Sequence, residues 1–205
     1  MQSKFVTPCD SVNIAAKMPP NTRGVWLLMN DTGLRISDAI KVKHGDFDNF
    51  GYLHYKAVKT GKNGRVKVSQ TFIDQYIVPD KKYKKRFVFV SPKNPQNHIC
   101  RQTVYLHIKK ACKLCGISDV GISPHSARKS FAVRDFREFG LGKTMHDLQH
   151  KDASTTLLYA MSDDPFPQLF ERIKAIEEEQ AEMLEKIDLI FDKFFPERYN
   201  IKICE

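Results

Sequence analysis

The sequence predicts a mainly α-helical domain with one small antiparallel β-sheet. Two observations carry this. Residues 51–59 (GYLHYKAVK) and 65–69 (RVKVS) alternate apolar and polar side chains on either side of Thr60-Gly61-Lys62-Asn63-Gly64, the pattern of a hairpin around a Gly/Asn turn. From about Asn97 onward apolar residues recur at helical spacing instead, interrupted at Gly116, Gly121, Pro124, Gly140 and Gly142.

The elements follow in order. Residues 1–20, with Pro8, Pro19 and Pro20 and few periodic positions, read as a lead-in. Residues 22–30 (TRGVWLLMN) read as a buried helix stopped at Asp31-Thr32-Gly33. Ser37 reads as the N-cap of a short helix reaching about Lys43. After the hairpin come a helix over 70–78 and a short strand at Phe87–Val90. Helices are expected over 97–115, 124–139, 143–149 and 152–161. Beyond Pro165, Phe166, Leu169, Ile173, Ile176, Met183, Ile187, Ile190 and Phe194 keep heptad a/d spacing, which predicts a long helix to about Phe195. The chain thus divides into a body, 1–165, and a C-terminal helical extension, 166–205.

Charge is unevenly placed. The 205 residues carry a net +9, yet residues 166–205 hold 6 basic and 10 acidic side chains, net −4, leaving +13 on residues 1–165. A basic body with an acidic tail points to a polyanion partner, DNA or RNA. The apolar fraction of 41% suffices for a packed core and argues against disorder. No apolar run reaches the ~20 residues of a membrane span, and no secretory leader precedes the five scattered cysteines, Cys9, Cys100, Cys112, Cys115 and Cys204. The expectation is a cytoplasmic protein with reduced thiols.

Three segments carry chemistry: Thr32-Gly33-Leu34-Arg35-Ile36-Ser37-Asp38, then Pro124-His125-Ser126-Ala127-Arg128, then the run from His150 to Tyr159 (HKDASTTLLY). Singly, Arg35 reads as a surface arginine, His125 as a polar helix start and Tyr159 as a half-buried core residue. Order and spacing together are specific. Over roughly residues 1–165 the sequence resembles the tyrosine recombinase (phage integrase) family. That family's pattern has an Arg in a TGLR-type box, a hairpin Lys, an H-x-x-R box, a His or Trp, and a Tyr nine residues later. The resemblance implies the catalytic-domain fold of that family and a site-specific DNA recombinase working through a 3′-phosphotyrosine.

The chemistry suits the residue types. A tyrosine hydroxyl attacks phosphorus and a 5′-hydroxyl leaves, so negative charge gathers on the non-bridging oxygens. Two guanidiniums, Arg35 and Arg128, can hold those oxygens in fixed bidentate geometry. A phenol with a pKa of ~10 is little ionised at neutral pH, so the attack needs proton transfer or a strongly cationic pocket. By resemblance, Tyr159 is the nucleophile, His125 assists with its proton, His150 hydrogen-bonds the phosphate, and a hairpin lysine protonates the leaving oxygen. Lys59, at the strand end, is favoured for that role, with Lys62 in the turn as the alternative. Asp38 reads as a supporting carboxylate that orients Arg35 or His125. The chain departs from the pattern at Gln149, where the family usually has Gly.

The implied partner is double-stranded DNA, with a homo-oligomer, a synaptic tetramer on DNA, joined through the C-terminal helix. No cofactor is expected, since the phosphotyrosine conserves bond energy and no Walker loop is present. Lys41, Lys43, Lys81, Lys82, Lys84, Lys85, Arg86 and Lys129 are candidate contacts to the DNA backbone, as are Lys109 and Lys110. Most relatives carry an N-terminal DNA-clamping domain before this pattern, so the chain reads as a fragment or as a small one-domain recombinase. A type IB topoisomerase, a telomere resolvase and a DNA-binding regulator of the same fold remain as alternatives. Two metal readings are weak. His146 and His150 share a helix face but lack the Glu of the zinc-hydrolase motif, and Cys112, Cys115 and His107 give an incomplete ligand set.

Overall fold

The computed structural model describes residues 3–149, 153–160 and 178–187. Its order is α1 (Pro8–Ala16), α2 (Pro20–Thr32), α3 (Ile36–Ala39), β1 (Tyr52–Lys56), β2 (Asn63–Lys67), α4 (Gln70–Tyr76), α5 (Arg101–Leu114), α6 (Pro124–Asp147) and α7 (Ala153–Ala160), with single 3-10 turns at His44–Asp46 and Lys81–Tyr83. The chain divides into two compact units, 1–162 and 163–205. The mainly helical body with one two-stranded antiparallel sheet is as expected.

The first 20 residues are not a lead-in. Thr7 caps α1 by accepting from the Asp10 N–H at 3.1 Å, and Pro8 supplies a pre-set first turn. Arg23 of α2 donates to the Ala15 carbonyl at 2.9 Å and the Met18 carbonyl at 3.0 Å, satisfying the far end. Trp26 then fixes α1 on α2 through an Nε1–H bond to Ser11 Oγ at 3.1 Å. Prolines that suggested a loop mark helix starts, because the lost N–H is already unpaired at N1.

α2 is the central element. Val25, Trp26, Leu28 and Met29 are fully buried, and α1, α3, α4, α5 and α6 all pack on it. Truncating an indole in such a place costs about 3–5 kcal/mol. β1 pairs with β2 from Tyr52↔Lys67 to Lys56↔Asn63, so Asn63 and Gly64 belong to the second strand, not the turn. Along β1 the inward face carries buried Leu53 and, beyond it, Tyr55 and buried Ala57.

Other boundaries shift. α3 starts at Ile36 and has ended by Ile40, with Arg35 rather than Ser37 at its cap. Phe87–Val90 forms only isolated bridges, Lys43↔Phe87 and Val90↔His98. α5 begins at Arg101, after an extended Cys100. α6 bends at Gly140 (φ 78, ψ −178), the break expected there, while Gly142 lies inside the second limb. Of the long C-terminal helix, residues 178–187 are described and are helical; the rest of 166–205 lies outside the described residues.

Candidate active site

The first box is a helix end turned into a platform. α2 stops at Gly33, in the left-handed region at φ 66, with its N–H bonded to the Met29 carbonyl at 2.9 Å. A Cβ at Gly33 would lie 2.4 Å from the Phe131 ring, so glycine is required by packing as well as by φ. The chain then runs extended through half-buried Arg35 (φ −70, ψ 149) into α3. Asp38, 5% exposed, accepts the Val58 N–H at 2.8 Å. That bond runs to the hairpin rather than to Arg35 or His125, so Asp38 anchors the end of the first strand.

The second box opens α6. Pro124 occupies the first position, and the Ser123 N–H donates to Ser126 Oγ at 3.1 Å. His125 and Arg128, three apart, share one helix face. Arg128 is 4% exposed and its guanidinium donates to the Gly33 carbonyl and, at 2.6 Å, to the Leu148 carbonyl. One side chain therefore joins the first box to the segment entering the third. His125 has an edge open to solvent, yet desolvation of its ring lowers its pKa, and the Arg128 and Arg35 charges lower it further.

The same two guanidiniums act on a residue that sequence reasoning missed. Desolvation raises the pKa of Tyr55; Arg128 and Arg35 oppose the rise, and Asp38 and Asp147 add to it. Arg35, Arg128, His125 and Tyr55 thus form one electrostatic cluster. The signal was strand alternation, which turns Tyr55 inward while its outward neighbours are exposed.

Lys59 and Lys62 are both exposed at the hairpin tip. The tip is closed by Ala57 N–H to the Lys62 carbonyl and Gly61 N–H to the Ala57 carbonyl, each 2.8 Å. Lys59 sits between two tethers: Val58 to Asp38, and the Thr60 hydroxyl to Gln149 Oε1 at 3.3 Å. His150 lies outside the described residues. Tyr159 lies on α7, which packs on α6, and its side chain is outside what is described.

Lys129 is buried, not presented to solvent as a backbone contact requires. It is 7% exposed, its ammonium donates to the Ser3 carbonyl at 3.0 Å, and burial lowers its pKa. Lys41, Lys81, Lys82, Lys84, Lys85, Arg86 and Lys110 are exposed. Half-buried Lys43 lies 5.4 Å from the centre of the Phe87 ring, and Lys109 donates to the Asp119 carbonyl. Among the described residues no three His, Cys, Asp or Glu side chains group to hold a metal. His107 bonds Thr22 Oγ1 at 3.0 Å, Cys112 is buried, and the Cys115 thiol reaches the Asn13 carbonyl at 3.3 Å. No described helix is long and apolar enough to cross a membrane.

The model of the phage integrase family matches residues 6–165. Among solved structures, XerA recombinase aligns with a TM-score of 0.65 at 18% identity, over 85% of this chain and 66% of that one. A lambda integrase dimer bound to a COC′ core site gives 0.64 at 21%, over 80% and 49%. XerH site-specific recombinase bound to difH gives 0.60 at 18%, over 77% and 50%. The chain therefore spans about half to two thirds of the length of these structures. No curated protein matches it in sequence.

Proposed function

The chain belongs to the phage integrase family, and on that footing we propose that it breaks and rejoins DNA strands, with Tyr159 forming a 3′-phosphotyrosine. The observation that carries this reading is that Arg128 of the second box bonds the Gly33 carbonyl of the first, and that Arg128 and Arg35 both act on a neutral His125. The guanidiniums neutralise the charge that grows on the non-bridging oxygens; one such donor is worth about 10²–10³ in rate. His125, its pKa held low, is neutral at physiological pH and can accept the Tyr159 proton. His150 hydrogen-bonds the phosphate. Lys59, tethered on both sides, protonates the leaving 5′-oxygen, with Lys62 the alternative.

Double-stranded DNA is the substrate. The exposed basic run from Lys81 to Arg86, with Lys41, supplies backbone contacts that add affinity without sequence information. Copies assemble on DNA through the C-terminal helix. Its described stretch leaves Met183 63%, Leu184 63% and Ile187 42% exposed, an apolar stripe suited to a neighbour.

The test is covalent capture. Nicked suicide substrates drawn from the genomic neighbourhood should yield a protein–DNA adduct that persists in EDTA. Tyr159→Phe should bind the same DNA and form none. An adduct surviving in Tyr159→Phe, or one lost to chelation and restored by zinc, would overturn the reading.

A further inference from the structure

Gln149 is the one described residue other than glycine with positive φ, at 52°. Left-handed backbone favours glycine, because a Cβ crowds the following carbonyl. A glutamine kept there calls for a reason, and its amide supplies one. Nε2 donates to the Tyr55 hydroxyl at 3.3 Å, and Oε1 accepts from the Thr60 hydroxyl at 3.3 Å. Both ends of the amide therefore grip the hairpin, one on the strand and one at the tip beside Lys59.

The hairpin is shaped to receive it. Gly64 lies opposite Tyr55 in the strand pair, and a Cβ there would sit 2.5 Å from the Tyr55 ring. The phenol, hydroxyl included, occupies the space a side chain at 64 would need. Around the contact, a cleft of about 540 Å³ separates the hairpin from the end of α6, lined by Tyr55, Lys62, Arg65, Met145, His146 and Gln149. The Gln149 amide is a strut across this cleft. Both bonds are long, as contacts in a site awaiting its substrate often are.

We infer that Gln149 and Tyr55 are positioning residues that lock the hairpin tip carrying Lys59 to the turn that precedes His150. The acid for the leaving oxygen is then presented from a tip held by the segment that closes α6. Asp38 holds Val58 on one side of Lys59, and Gln149 holds Thr60 on the other, so the lysine backbone is fixed at both neighbours. Raised by burial, the Tyr55 pKa keeps its hydroxyl protonated. With the amide donating into its oxygen, its own hydrogen is left for another acceptor. This inference rests on Lys59 as the general acid.

A substrate with sulfur in place of the scissile 5′-oxygen separates the roles. As Tyr159 Oη bonds phosphorus, the P–S bond breaks to a thiolate that leaves without a proton. Loss of the acid is then masked. Gln149→Gly should melt at the same temperature or higher, since the strained φ is relieved, and Tyr55→Phe keeps the ring on Gly64. Both should bind DNA normally and cleave the oxygen substrate about 10- to 100-fold more slowly. Both should approach the wild-type rate on the sulfur substrate, as should Lys59→Ala. Wild-type rates on the oxygen substrate, or equal slowing on both substrates, would overturn the latch while leaving Lys59 as the acid. If Lys59→Ala itself is not rescued by sulfur, the acid assignment falls, and the latch with it, while Tyr159 chemistry stands on its own adduct.

Discussion

Position 125 shows how much a single side chain owes to its surroundings. A histidine ordinarily titrates near ~6.5. Here desolvation, then Arg128 and Arg35, push it lower, so the folded chain favours the neutral imidazole. The sign follows: the stability this adds is present above the ordinary value and is lost as pH falls through the depressed one. Catalysis should move the same way, because protonation removes the acceptor for the Tyr159 proton. The pH profile of kcat/KM, which reports the free enzyme, should have its acid limb below 6.5, and His125→Asn should lose that limb. An acid limb at or above 6.5 in the wild type would exclude His125 as the base. Residue placements were unevenly legible. Arg35, His125 and Arg128 were visible because their boxes have fixed spacing, whereas Lys129 was misread, since nothing in a sequence tells a solvated lysine from one spent on the Ser3 carbonyl. Gln149 stood out only as a departure from the family pattern, and Tyr55 not at all, because their contact joins residues 94 apart.

The elements were legible where local signals and tertiary demands agree. The hairpin, α2 and the Gly140 break follow from alternation, apolar periodicity and backbone freedom. α1 was lost because its buried apolar residues are Ile14 and Ala15 alone, too short a pattern to outweigh the prolines around it. The Gly140 bend is a backbone effect with nothing packed against it. A Cβ there would meet no atom within 4 Å, so any cost of substitution comes from φ 78 and ψ −178. Gly140→Ala should therefore lower stability by about 1–3 kcal/mol. Gly142→Ala, also without a neighbour but on helical backbone, should raise it by up to about 1 kcal/mol. Urea unfolding of the two variants reads the difference, and equal effects would mean the bend is not fixed by its backbone.

At the scale of the whole molecule, the division of charge was legible: +13 on residues 1–165 and −4 on residues 166–205. Opposite charge and the exposed stripe around Met183 suit the extension to a second copy rather than to DNA. A chain ending at Pro165 should cleave single sites at the full-length rate, yet lose self-association on DNA and recombine poorly. Light scattering that shows full-length protein monomeric on DNA at high concentration would exclude this arrangement. Heptad spacing is the sequence's whole case for a seam, and which surface would receive it is a property of two chains, not one. Under the proposed function Arg128 carries two duties at once. The guanidinium proposed to neutralise the phosphate is the same one that bolts the Gly33 and Leu148 carbonyls together. Loosening of either segment would displace the proposed cradle, so strand cleavage would be confined to the fully folded chain.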